Sequence, residues 1–177
     1  MTTASDRPIA LIGMMGAGKS TVARLLGERL AVAVADLDAM LEAEEGRSIL
    51  ELYDRDGEPY LRRRERELLA RTLRAGARVL ACGGGVVIEE GSRALLRSRC
   101  RVVWLEVSPV EAERRLQGAP ANRPLLRGGE GPRARLEALL ERRTALYAEV
   151  AELRVATDGR TPQQVADAVA DALARVA

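Results

Sequence analysis

Pro8-Ile9-Ala10-Leu11-Ile12-Gly13-Met14-Met15-Gly16-Ala17-Gly18-Lys19-Ser20 runs from an unbroken apolar tetrad into a glycine-rich turn that closes on lysine and serine. The tetrad at 9–12 reads as a short buried strand, and 19–30 carries Val22, Leu25, Leu26 and Leu30 at helical spacing. Between them, Gly13 to Ser20 satisfies G-x-x-x-x-G-K-[ST], a phosphate-binding loop. In such a loop, backbone N–H groups wrap the β-phosphate, the ammonium reaches the β and γ oxygens, and the hydroxyl meets Mg²⁺. Strand, glycine loop and helix in that order set the phosphates at a helix N-terminus, where unpaired N–H groups and the dipole favour anions. The chain has 28 basic residues, and Lys19 alone is lysine. Wherever a cation merely meets solvent the chain uses arginine, so a chance surface lysine in a glycine-rich turn is the poorer reading of Lys19.

Outward from this segment, short apolar strands alternate with helical stretches, as in a parallel sheet covered by helices on both faces. A weak second strand spans 31–35 and ends at Asp36; a helix runs from about 38 to 45 and stops at Gly46. Ser48-Ile49-Leu50-Glu51 is a capping box opening the next helix, which is interrupted near Asp56-Gly57-Glu58-Pro59 and resumes to Arg74. The third strand, 78–82, ends in Gly83-Gly84-Gly85; the fourth spans 101–107, and Ser108-Pro109 caps the helix behind it. Residues 117–131 combine glycine and proline with no apolar period, and are expected to form a mobile loop. Gly131-Pro132 opens another helix, and a fifth strand lies near 153–156. Thr161-Pro162-Gln163-Gln164 caps a last helix, expected to bury Val165, Val169, Leu173 and Val176. With 177 residues and no repeat or linker, one domain is expected, burying roughly 70% of its unfolded surface.

Several chemistries are excluded. The chain has no histidine, and Cys82 and Cys100 match no C-x-x-C spacing, which removes zinc-finger, Cys/His and His-base arrangements. Two reduced, buried thiols are expected instead. A net charge of +2 and the scattered aromatics Tyr53, Tyr60, Trp104 and Tyr147 give neither a charge footprint nor a stacking platform for nucleic acid. No apolar run approaches the roughly 20 residues of a membrane span, and residues 1–7 are polar with no signal-peptide core behind them. The expectation is a cytoplasmic monomer acting on small molecules, without nucleic-acid or membrane partners.

A phosphate loop announces a nucleotide and leaves its fate open among GTPase switch, ATPase motor and small-molecule kinase. A guanine-reading N-K-x-D is impossible once the only lysine sits in the loop. The second motif of a motor, four apolar residues and an acid, is missing, since the strand at 79–81 runs into Cys82 and three glycines. The kinase reading remains. Asp36-Leu37-Asp38 stands at the carboxyl edge of the sheet, where such folds bind ligands, and strand alternation would turn both carboxylates to one side. One would hold the water shell of Mg²⁺ and the other meet an acceptor hydroxyl. The plain alternative is that Asp36 caps a helix and Asp38 is solvated.

The order and spacing of further residues resemble the shikimate kinase family over essentially the whole chain. They are the phosphate loop, Asp36-Leu37-Asp38, Glu42, Gly46-Arg47-Ser48-Ile49, Gly57-Glu58, Arg62 with Glu65, and Gly83-Gly84-Gly85. Arg123-Pro124-Leu125-Leu126, Arg143 before Leu146-Tyr147, and Pro162 complete the pattern. The resemblance implies a nucleoside-monophosphate-kinase-like α/β fold, a three-layer sandwich whose five-stranded parallel sheet is ordered 2-3-1-4-5. It implies a lid at about 117–131 and a substrate-binding helical segment at about 38–74. The implied reaction transfers the ATP γ-phosphoryl group to the 3-hydroxyl of shikimate, a step of aromatic amino acid biosynthesis, with ATP and Mg²⁺ as cofactors. Gly16, Ala17, Gly18, Lys19, Ser20 and Thr21 would cradle the nucleotide, with Ser20 on Mg²⁺ directly and Asp36 through water. Lys19, Asp38 and Arg123 would be catalytic, Asp38 as base and Arg123 brought by the lid onto the transferred phosphate. Arg62 and Arg143 would bind the shikimate carboxylate beside the backbone of Gly83 and Gly84. The family stacks adenine between an arginine and a proline, which implies Arg115 and Pro162, with Arg160 as a further nucleotide contact.

Residue chemistry alone supports the carboxylate clamp, because a planar carboxylate fits the rigid fork of arginine. It does not separate Arg62 from Arg63, or Arg143 from Arg142. The glycine triplet is either a tight strand exit or a place where a ligand meets bare backbone. This chain departs from the family pattern at Leu61, usually phenylalanine, and at Leu37, where threonine is common. The rival readings are a kinase for another small hydroxy acid such as gluconate, and a nucleotide-binding module without turnover.

Overall fold

The computed structural model describes residues 7–117 and 131–175. Five strands, β1 (Ile9–Ile12), β2 (Val34–Asp36), β3 (Val79–Ala81), β4 (Arg101–Glu106) and β5 (Leu153–Ala156), form one parallel sheet ordered β2-β3-β1-β4-β5. This is the order expected from the resemblance. The central strands are apolar without alternation because both faces are covered. Ala10, Leu11, Ile12, Val79, Leu80, Val102, Val103 and Leu105 have no exposed surface at all.

Helices α1 (Lys19–Leu30), α2 (Leu37–Glu45), α3 (Ile49–Arg74), α4 (Glu90–Arg99), α5 (Pro109–Leu116), α6 (Gly131–Val150) and α7 (Pro162–Arg175) surround the sheet. The stripe of α1 that meets the sheet is Val22, Ala23, Leu26 and Gly27. Leu30 was expected to join it but is 44% exposed, since it is the last residue before the left-handed cap at Ala31, φ 52°. That cap also shortens the second strand. The Ala31 and Val32 N–H groups still bond back to the Glu28 and Gly27 carbonyls, at 3.4 and 3.0 Å, so pairing begins at Val34 rather than Ala31.

Local signals explain the helices that hold the site. Ser48 and Glu51 satisfy each other's backbone N–H groups at the start of α3, at 3.2 and 2.8 Å. Inside α3, Gly57 at φ 81° and ψ 166° breaks the helical path two residues before Pro59, where the interruption was expected. Arg64 ties α3 back to α2 through Glu45 at 2.6 Å, and that hydrogen bond holds the Glu45 carboxyl below the usual range. Thr161 and Gln164 make a reciprocal cap on α7, at 2.9 and 3.2 Å. Val165, Val169 and Leu173 are buried there as expected; Val176 lies outside the described residues. Helix α4 has no counterpart in the sequence reading. It buries little besides Ser92 and Leu96, so its apolar period is too sparse to announce a helix.

Cys82 and Cys100 are free and buried, and burial pushes the Cys100 thiol up to about 12. The expected lid at 117–131 falls almost entirely on residues outside those described. Among the described residues, no helix is long and apolar enough to cross a membrane.

Candidate functional site

The carboxyl ends of β1, β2 and β3 open into one cavity of about 880 Å³. At its centre is the loop between β1 and α1. Gly13, Gly16 and Gly18 adopt φ of 139°, 81° and 87°, which L side chains rarely allow. At Gly13 a Cβ would also lie 2.4 Å from the Leu105 oxygen of the neighbouring strand. Gly18 caps α1 without any side-chain hydrogen bond, so the amides of the first turn are left for a ligand. Lys19 Nζ curls back onto the Gly13 and Met14 carbonyls, at 2.9 and 3.0 Å. Gly16, Ala17, Gly18, Lys19, Ser20 and Thr21 all line the cavity.

Asp36 and Asp38 both line it, by a different route from the one the sequence suggested. The strand ends at Asp36, and Asp38 belongs to the first turn of α2, so the two carboxylates reach one cavity from a strand end and a helix turn rather than by alternation along a strand. Asp36 Oδ1 also accepts from Ala39 N at 3.2 Å, so this residue caps α2 while facing the site.

Burial separates the arginines that residue chemistry left alike. Arg62 is 8% exposed and lines the cavity, whereas Arg63 is exposed and lies over the Tyr60 ring at 5.2 Å. Arg143 is 4% exposed and lines the cavity, whereas Arg142 is exposed. Arg62 is held by Glu58 at 2.9 Å and by both oxygens of Glu65 at 3.0 and 2.8 Å. Burial raises the Glu65 carboxyl above its ordinary range, with Arg62 pulling the other way. No role for Glu65 had been read from the sequence, although its three-residue spacing from Arg62 on one helix was visible.

The glycine triplet does more than leave the strand. A Cβ on Gly85 would lie 2.1 Å from Arg62 Nη1, so bare backbone is what lets that guanidinium in. The Gly84 oxygen accepts from Arg143 Nη1 at 3.1 Å. Gly84 and Gly85 line the cavity, but Gly83, expected at the substrate, is not among the lining residues. It backs onto the Asp38 and Glu65 side chains, which a Cβ there would meet at 2.5 and 3.1 Å.

At the opposite end lie Arg115, Arg160 and Pro162. Arg115 is fully engaged along its edge: Glu111 at 2.7 Å, Gly16 O at 3.1 Å, Thr157 Oγ1 at 3.1 Å and Thr157 O at 2.7 Å. Spending the edge this way fixes the plane of the guanidinium without using its faces. Hydrogen bonds from Arg114 first, and from Arg115, hold the Glu111 carboxyl down to about 2. No site role had been read for Thr157, or for Glu111 beyond its place in the Ser108-Pro109-Val110-Glu111 cap, though the four-residue spacing of Glu111 and Arg115 marks an ion pair. Arg123 lies outside the described residues.

A family model described as shikimate kinase matches residues 15–174. A shikimate kinase from Thermobifida fusca (strain YX) is 44% identical over 170 residues, 96% of each chain. Another, from Pseudomonas entomophila (strain L48), is 43% identical over 159 residues, 90% of this chain and 91% of that one. Among solved structures, a shikimate kinase from Acinetobacter baumannii in complex with shikimate superposes with a TM-score of 0.91 at 34% identity. It covers 96% of this chain and 94% of that one.

Proposed function

The chain belongs to the shikimate kinase family of ATP-dependent kinases, and on that footing we propose how its residues pass the γ-phosphoryl group to the 3-hydroxyl of shikimate. The amides of residues 16–20 take the β-phosphate, and Lys19 exchanges the Gly13 and Met14 carbonyls for β and γ oxygens. Arg115 and Pro162 bracket the adenine, with Arg160 beside them. Arg62 and Arg143 grip the carboxylate of shikimate, and Gly84 lies against it. Asp38 accepts a hydrogen bond from the 3-hydroxyl and takes its proton as the new O–P bond forms and the bond to ADP breaks. Most of the acceleration is positioning and charge neutralisation.

Mg²⁺ fits the donors present. The Ser20 hydroxyl and Asp36 carboxylate are hard oxygens in one cavity, and the described residues contain no cluster of three or more acids, cysteines or histidines to cage a metal alone. Such a set suits an ion that keeps its waters and leans on nucleotide phosphates, with Ser20 as direct ligand and Asp36 reaching it through water. When bound, it would neutralise charge on the β and γ oxygens.

The observation that carries this reading is the continuity of the cavity from the phosphate loop, past Asp38, to the buried arginine pair. It is tested by ADP release against shikimate, quinate and gluconate. Turnover on shikimate is expected; turnover on gluconate with none on shikimate would move the substrate assignment to the rival kinase. Action as a cytoplasmic monomer belongs to the same proposal, and gel filtration at working concentration tests the oligomeric part.

A further inference from the structure

Two donors from α6 converge on the Gly84 carbonyl oxygen. Arg143 Nη1 reaches it at 3.1 Å, and one turn later the Tyr147 hydroxyl reaches it at 2.6 Å. Tyr147 has no exposed surface, and its ring stacks on Trp104 of β4, with centroids 5.4 Å apart and planes at 29°. Arg154 of β5 lies over the same Trp104 ring at 5.0 Å. The two strands thus fix the tyrosine ring, the ring fixes the hydroxyl, and the hydroxyl fixes Gly84. Peptide bonds here are trans, so the Gly85 N–H points opposite to the Gly84 oxygen, and the α6 donors also decide where that amide aims.

We propose that Tyr147 is a positioning residue for the acid subsite. Its hydroxyl holds the glycine triplet, and Arg143 through their shared oxygen, in the register that receives the substrate carboxylate. The inference rests on reading Arg62, Gly84 and Arg143 as that subsite. The Tyr147 side of this hydrogen bond is closed to solvent, since the residue has no exposed surface. Burial pushes the hydroxyl up to about 12, so it remains a neutral donor at any working pH. The phosphoryl transfer itself gives this buried phenol nothing to do.

Tyr147→Phe removes one oxygen and keeps the ring on Trp104. The KM for shikimate is expected to rise about five- to tenfold, as one of two hydrogen bonds to the Gly84 oxygen is lost, while the KM for ATP keeps its wild-type value. Amide exchange over residues 83–86 should quicken without a matching change in the rest of the sheet. Unchanged shikimate KM, or both KM values rising together, would overturn the inference. If the wild-type protein turns over shikimate and the variant matches it, this inference alone fails. A wild-type protein inert towards shikimate brings down the proposed function as well.

Discussion

Arg62 and Glu65 are three residues apart on α3, almost wholly buried, and joined by two hydrogen bonds of 3.0 and 2.8 Å. The pair lines the cavity at the proposed acid subsite, where breaking it should show in stability as well as in turnover. Burial raises the Glu65 carboxyl above 4.5, and Arg62 opposes the rise. A carboxyl with a raised folded value contributes stability that is complete below its unfolded value and is lost as pH climbs through the folded one. Arg62→Ala removes the opposing cation and drives Glu65 further up. Its deficit relative to wild type should therefore widen once pH passes the wild-type folded value of Glu65, which lies above 4.5, and reach about 3–5 kcal/mol near neutrality. Adding Glu65→Gln should recover much of that loss. Urea unfolding at pH 5 and 8 decides the matter, and a deficit independent of pH would contradict it. Arg63→Ala, on the exposed side of the same helix, should change stability by no more than about 0.5 kcal/mol and leave turnover intact.

Helix α1, which the phosphate loop opens, packs closely on the edge of the sheet. A Cβ at Gly27 would lie 2.0 Å from Val34 Cγ2. An exposed helical glycine changed to alanine gains roughly 1 kcal/mol in propensity, but overpacking costs about 1–3 kcal/mol. Gly27→Ala should accordingly lower the midpoint of thermal unfolding; a rise would mean that α1 lifts away from β2 without cost. In the proposed function, helix α5 does for adenine what α6 does for the acid. Arg115 joins α5 to the phosphate loop at Gly16 and to the turn after β5 at Thr157. Arg115→Ala should raise the KM for ATP about tenfold and leave that for shikimate alone, the reverse of the Tyr147→Phe pattern. Equal effects on both substrates would show that Arg115 acts on the fold rather than on the nucleotide.

At the scale of the molecule, the proposed function sets two recognition ends in one cavity, and the family resemblance implies that the segment bearing Arg123, outside the described residues, closes over it. A cation delivered onto the transferred phosphoryl group is worth roughly 10³–10⁵ in rate, and closure excludes the water that would otherwise take that group. Arg123→Ala should keep shikimate affinity in equilibrium titration while turnover falls by about three orders of magnitude. Near-normal turnover would remove Arg123 from the mechanism.

The sequence by itself determined whatever depends on neighbours along the chain: the phosphate loop between strand and helix, the capping boxes at Ser48 and Thr161, and the break at Gly57. Those features are written in local backbone chemistry and spacing, so they survive without knowledge of packing. The shape of the sheet and the carriers of the clamp came from resemblance to a family, and arginine-rich runs such as 62–64 could not say which member turns inward. Tertiary structure decided that, by burying Arg62 and Arg143 and leaving Arg63 and Arg142 in solvent. It also decided why Gly85 must lack a side chain, why Glu65 is pushed up, and which oxygen Tyr147 holds. Each of these is a contact between elements far apart in the chain, where desolvation and close approach, absent from any local pattern, set the outcome.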